Sequence, residues 1–105
     1  LSTFAELVCT NSLKSKDVNS AHGLLKSEMS TIGSLIMDVA NETSVPAGDA
    51  LAVDREAFSE LITARLKEHK NITLIEREAS DPQVLASEFD INRYSRFVNV
   101  VNYLQ

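Results

Sequence analysis

The 105-residue sequence holds one cysteine, Cys9, and no tryptophan. A lone thiol cannot close an intramolecular disulfide, and neither a C-x-x-C pair nor Cys/His zinc spacing is present. The plain inference is a reducing, cytoplasmic setting. No apolar run approaches the roughly 18–20 residues that cross a bilayer, so no membrane partner is expected. The first residues lack the basic, apolar and small-residue zones of a secretory signal. Glycine-rich dinucleotide turns, phosphate loops, H-E-x-x-H and G-x-S-x-G are also missing, as are repeats and low-complexity linkers. A basic surplus is absent as well: 15 acids face 10 bases, for a net charge of −5. Lys14 with Lys16 and Arg93 with Arg96 come nearest to a basic cluster, and acids are scattered between these pairs. Any contact with RNA must therefore draw its positive charge largely from outside these residues.

What remains is an ordinary globular balance, 44% hydrophobic and 24% charged, enough for one modest core. Residues 17–41 read as a long amphipathic helix, with Val18, Ala21, Leu25, Met29, Ile32, Ile36 and Val39 at alternating steps of three and four. Gly23 and Gly33 interrupt it at a cost of about 1 kcal/mol each relative to alanine, which implies a close backbone contact or a local kink. In "SVPAGDALAVDR" Pro46 and Gly48 mark a turn, and Leu51 and Val53 alternate as a short extended piece. Asp54 is a good N-cap for a second helix that buries Phe58, Leu61, Ile62 and Leu66. "NITLIER", residues 71–77, reads as a strand. Asp81 and Pro82 start a short helix, and a final helix carries Tyr94, Phe97, Val98, Val101 and Leu104. The expected fold class is α+β and predominantly helical: a long helix, a second helix, one short strand and C-terminal helices.

The candidate chemistry is sparse. Cys9, among Phe4, Leu7 and Val8, reads as a small buried hydrophobe. A reactive thiolate would need an electropositive setting; Lys14, Lys16 and the backbone N–H groups of a "TNS" turn could supply one, but spacing does not establish it. His22 reads as a half-buried helix residue and His69 as a helix terminus complementing the dipole; neither has metal-ligand spacing to another ligand. The small residues of "PAGDALAVDR" fit either a turn with a capped helix or close approach to a cofactor or phosphate. Helical spacing makes the tail aromatics a core or partner-facing stripe rather than a base-stacking platform.

"FAELVCTNSL", "AHGLLKSEM", "GSLIMDVA" and "VPAGDALAVDR", in that order, resemble the flavin- and folate-dependent tRNA (uracil-5-)-methyltransferases of bacteria, relatives of glucose-inhibited division protein A. The likeness runs over residues 4–78 and leaves residues 79–105 as a helical tail outside it. It implies a piece of a larger α/β FAD-binding fold whose parent makes 5-methyluridine in the T-loop of tRNA. Methylenetetrahydrofolate would donate the one-carbon unit, with FAD and NAD(P)H as reductant. Cys9 stands at the cysteine of the family's "ELVCSNSL" motif and is the implied catalytic residue, with a proton-handling or auxiliary role. Asn11 and Ser12 stand in a loop that the family places close to the flavin. Arg55, with Asp54, stands in the "ALAVDR" segment that borders the cofactor-binding domain.

Three departures qualify the likeness. The glycine-rich turn that precedes these motifs in the family is absent, a second catalytic cysteine is absent, and the tail does not follow the family. Thr10 and Asp49 replace a typical serine and glycine. The expectation is a single domain or fragment, inactive alone, that works with the remaining FAD-binding part and meets tRNA through the complete enzyme. The alternative is a non-catalytic helical interaction module, in which the long helix and the tail helix bury their stripes against a partner or a second copy and Cys9 is filler. A thiol redox protein would need a resolving cysteine or a low thiol pKa, and the sequence supplies neither signal.

Overall fold

A computed structural model describes residues 3–75 and 81–89. The chain divides into two units, Leu1–Leu74 and Ile75–Gln105. In the first unit the order is β1 (Ser12–Ser15), α1 (Ala21–Thr31), α2 (Leu35–Glu42), β2 (Ser44–Val45), β3 (Ala50–Val53) and α3 (Arg55–Glu68). The second unit contributes α4 (Pro82–Phe89). Mixed α and β structure is therefore present, as the sequence implies.

The long helix of the sequence reading is two helices. Gly33, at φ +82°, takes the left-handed conformation that ends α1. Its N–H donates to the Ser30 carbonyl, the Ser34 N–H donates to the Met29 carbonyl, and the terminal carbonyls are satisfied by the turn itself. The Ser34 hydroxyl then accepts the Met37 N–H at 3.3 Å and starts α2. The break changes which residues face inward. Met37, Val39 and Ala40 are buried, while Val18, Leu25 and Ile32 of the expected stripe stay exposed, Ile32 at 84%. His22 is exposed too, not half-buried.

Gly23 answers to the other cause. It is buried at the start of α1, where the Ser20 hydroxyl accepts its N–H at 3.1 Å. A Cβ placed there would lie 1.8 Å from the Asp17 carbonyl oxygen, whereas one at Gly33 would meet nothing within 4 Å. One glycine thus permits a close backbone approach, and the other a left-handed turn.

Three antiparallel strands form a sheet in the order β1-β3-β2. The turn at Pro46 and Gly48 joins β2 to β3, closed by the Ala50 N–H on the Ala47 carbonyl at 3.2 Å. β1 and β2 escape a sequence reading because they are short and polar, with no apolar alternation to mark them. β1 pairs through Ser12 with Ala52 and through Ser15 with Ala50, so it carries one extra residue against its partner. Lys14, at φ +70°, takes up the bulge.

The core joins Met37, Val39 and Ala40 of α2, Leu51 and Val53 of β3, and Phe58 and Ile62 of α3, with Leu7, Leu13, Met29, Leu35, Leu61 and Leu66 around it. Asp54 caps α3 as its sequence position implies: its carboxylate accepts the Ala57 N–H at 3.0 Å. The strand expected at residues 71–77 is not formed over residues 71–75. There the chain turns, with the Ile72 N–H on the His69 carbonyl at 3.1 Å and the Asn71 N–H on His69 Nδ1 at 3.1 Å. Among the described residues no strand pairs with it, and a strand requires a partner for its backbone groups. In the second unit the Asp81 carboxylate accepts the Gln83 N–H at 2.9 Å at the head of α4, the start expected from Asp81 and Pro82. The final helix expected on Tyr94 to Leu104 lies outside the described residues.

The two glycines make a paired test. Gly33→Ala is expected to cost about 1 kcal/mol, the strain of a left-handed Cβ residue. Gly23→Ala is expected to cost more, about 1–3 kcal/mol or beyond, because backbone must move. Urea denaturation of both variants measures the order, and a larger loss at Gly33 would contradict the packing described for α1.

Candidate functional site

The segment carrying Cys9 lies along α3 and is fastened at both ends. At one end the Phe4 N–H donates to the Thr63 hydroxyl at 2.8 Å, and Ala5 follows at φ 60°. Leu7 then packs against the core. Glu6, Leu7 and Val8 face Arg55, Glu56 and Ser59 across an open hollow of about 160 Å³. At the other end Asn11 meets Val53 twice. Its carbonyl accepts the Val53 N–H at 3.0 Å, and its carboxamide donates to the Val53 carbonyl at 3.1 Å. The residue order 4, 7, 11 against Thr63 and Ser59 of α3 and Val53 of β3 means that the segment runs antiparallel to the stretch from β3 into α3.

Cys9 falls between the hollow and the Asn11 anchor, and its thiol is exposed. The reading of Cys9 as a buried hydrophobe is thereby corrected. The apolar neighbours Val8 and Phe4 are themselves exposed, Val8 at 81%, and only Leu7 turns toward the core. Beyond Cys9 the Thr10 hydroxyl accepts the Ser12 N–H at 3.1 Å, and the Ser12 hydroxyl accepts the Lys14 N–H at 3.2 Å. These successive side-chain turns build the "TNS" corner and lead the chain into β1.

Arg55 is the first residue of α3 and is exposed. Among the described residues no carboxylate pairs with its guanidinium, although Glu6 and Glu56 line the same hollow. Asn11 and Arg55 are brought to one place, the junction of β3 and α3. Ser12 lies one step along β1, opposite Ala52. Asp49 does not join them. It sits on the exposed turn before β3, at the opposite end of that strand from Arg55, and its carbonyl accepts the Lys16 N–H at 2.8 Å.

A larger hollow of about 390 Å³ lies at the far end of α3, lined by Leu35, Arg65, Leu66, Glu68, His69 and Ile72. Beside it Arg65 bonds Glu42 and so ties α3 to α2. That hydrogen bond raises the Arg65 pKa, against an opposing desolvation, and the nearby charges of Glu42, Asp38 and Glu68 add to the rise. The pair is surface-exposed and screened by salt. Among the described residues no cluster of His, Cys, Asp and Glu could hold a metal ion, and no helix is long and apolar enough to cross a membrane.

Thr63 is the residue of this site that sequence reasoning missed. It is 5% exposed, next to the buried Ile62 on the inner side of α3. A threonine on an apolar helix face is the available signal, since a buried hydroxyl requires a partner. The partner, 59 residues away, has no signature in the sequence.

Comparison with known proteins supplies the lineage of this arrangement. The family model described as glucose inhibited division protein A matches residues 1–94. The chain belongs to the glucose inhibited division protein A family. Three relatives bear the name methylenetetrahydrofolate–tRNA-(uracil-5-)-methyltransferase TrmFO. That of Desulfotalea psychrophila is 61% identical over 75 residues, 71% of this chain and 17% of the relative. That of Caldicellulosiruptor bescii is 56% identical over 81 residues, 77% of this chain and 19% of the relative. That of Persephonella marina is 58% identical over 77 residues, 73% of this chain and 18% of the relative. The chain thus spans less than a fifth of the length of each of these three curated relatives. Within the glucose inhibited division protein A family it is a TrmFO-like segment.

Exposure of Cys9 has a direct measure. Iodoacetamide is expected to alkylate the native chain and the urea-unfolded chain at rates within about threefold of each other at one pH, because access does not limit the reaction. Native protection of 100-fold or more would return Cys9 to the core.

Proposed function

We propose that this chain is part of a flavoenzyme that methylates C5 of a uridine in the T-loop of tRNA. Methylenetetrahydrofolate would be the one-carbon donor, and FAD with NAD(P)H the reductant. The observation that carries the reading is an exposed thiol, Cys9, on a segment pinned at both ends beside Arg55, in a chain 61% identical over 75 residues to a protein of the TrmFO name.

Cys9 is assigned the proton-handling role. Once a one-carbon unit is joined to C5 of the uracil ring, the hydrogen originally on that carbon must leave as a proton. A thiolate at hydrogen-bond reach can accept it as a general base. The other thiol task is addition to the ring to make C5 nucleophilic. With one cysteine in the chain, that nucleophile would come from the rest of the enzyme. Asn11 and Ser12, on the corner after Cys9, and Arg55, at the head of α3, would lie on the cofactor side.

The hollow beside Arg55 does not fit a whole flavin dinucleotide. Its roughly 160 Å³ falls below the ~300–1,000 Å³ of sites that enclose a drug-sized ligand, and its two carboxylates would repel phosphate. FAD would therefore be held mainly by the remaining polypeptide, within a larger α/β FAD-binding fold, and these residues would form one edge of the site. The chain alone would not turn over. The net charge of −5 assigns tRNA binding to basic surface elsewhere in the complete, cytoplasmic enzyme.

A second reading, a non-catalytic interaction module, is favoured by one observation. Val18, Leu24, Leu25 and Ile32 are all at least 50% exposed on and around α1, a surface suited to a partner or a second copy.

In the full-length enzyme carrying this segment, Cys9→Ala is expected to reduce 5-methyluridine formation on tRNA by about 10²-fold or more, the scale of general acid–base catalysis. Full retained methylation would remove Cys9 from the mechanism and leave the interaction module as the reading. The isolated chain, mixed with excess FAD and desalted, is expected to be colourless; a retained flavin absorption band would show that the site is largely built here.

A further inference from the structure

We infer that Thr63 is a positioning residue for Cys9, acting through the Phe4 amide. The inference rests on the catalytic reading of Cys9 given above. Its basis is the way the segment of residues 4–11 is held. Residues 4–10 do not lie in the sheet; the segment meets it at Asn11, whose carbonyl accepts the Val53 N–H at 3.0 Å. Two side chains complete the hold. Asn11 fixes one end to Val53 with its carboxamide, and Thr63 fixes the other by accepting the Phe4 N–H at 2.8 Å.

Three features mark the Thr63 contact as a constraint. The hydroxyl is buried, on a residue only 5% exposed, where an unbonded polar group would be costly. The next residue, Ala5, holds φ 60°, a left-handed conformation that residues with a Cβ keep only where their surroundings over-determine it. Leu7 packs against the core two residues after Ala5, and Cys9, two residues further on, is exposed. Loss of the Thr63 oxygen would free the chain at the point where its direction along α3 is set. The height and angle at which Cys9 is presented at the surface would then vary. Proton transfer depends on such placement, and a misplacement of about 1 Å can cost of the order of 10²-fold in rate.

Thr63→Val keeps the branched shape, suits a buried position and deletes the acceptor; Thr63→Ser restores the acceptor. In the full-length enzyme, Thr63→Val is expected to lower kcat for 5-methyluridine formation by about 10- to 100-fold, with KM for tRNA held within about twofold. Thr63→Ser is expected to recover most of the loss. In the 105-residue chain, Thr63→Val is expected to speed amide exchange at Phe4 by about tenfold, with the α3 amides unchanged. Equal kcat in the Val and Ser variants, in an enzyme that Cys9→Ala inactivates, would overturn the positioning role while leaving Cys9 catalytic. A loss of kcat accompanied by lost protection throughout α3 would also overturn it, as general destabilisation. An active Cys9→Ala enzyme would instead remove the catalytic reading itself, and the positioning role with it.

Discussion

The peptide groups at Val53 and Asp54 are the point on which the first unit turns. Val53 both donates to and accepts from Asn11, at 3.0 and 3.1 Å. The next N–H, that of Asp54, donates to the Thr43 carbonyl at 2.9 Å, and the Asp54 carboxylate caps α3. Four parts of the chain meet there: the Cys9 segment, the end of α2, the last residue of β3 and the first turn of α3. Val53 is fully buried beside Phe58 and Val39. The polar hold is thus backed by apolar packing from both helices, in surroundings where hydrogen bonds compete little with water.

This junction explains why the candidate site is divided as it is. The head of α3 brings Arg55 to the surface, and Asn11 brings the Cys9 segment to the same end of β3. The opposite end of β3 carries the hairpin turn with Asp49, about 13 Å away at ~3.3 Å per residue. The small residues of "PAGDALAVDR" therefore serve two places. Gly48 supplies a left-handed turn residue at φ 61°, while Ala50 and Ala52 sit in the central strand, opposite Ser15 and Ser12 of β1.

Features written in local pattern were legible from the residues. Asp54 before Phe58 and Ile62 marked the start and buried face of α3, and Pro46 with Gly48 marked the turn into β3. Both causes proposed for the glycines of the long helix occur, one at each. Less legible was anything set by distant partners. Short polar β1 and β2 exist because β3 lies beside them, and "NITLIER" alternates well yet finds no strand to pair with over residues 71–75. The exposure of Cys9 follows from Leu7 alone turning inward, a choice that apolar neighbours on both sides do not announce. Thr63 is the extreme case, since its role needs a contact across 59 residues.

The bulge at Lys14 has a consequence beyond its own geometry. An open sheet offers unpaired backbone groups at its borders, and long flat borders invite strand addition by other molecules. Here one border, β2, is two residues long, and the other, β1, is kinked by an extra residue that is a lysine in a left-handed conformation. Neither is a template for a growing cross-β stack. The sheet thus carries its own protection against edge-to-edge aggregation.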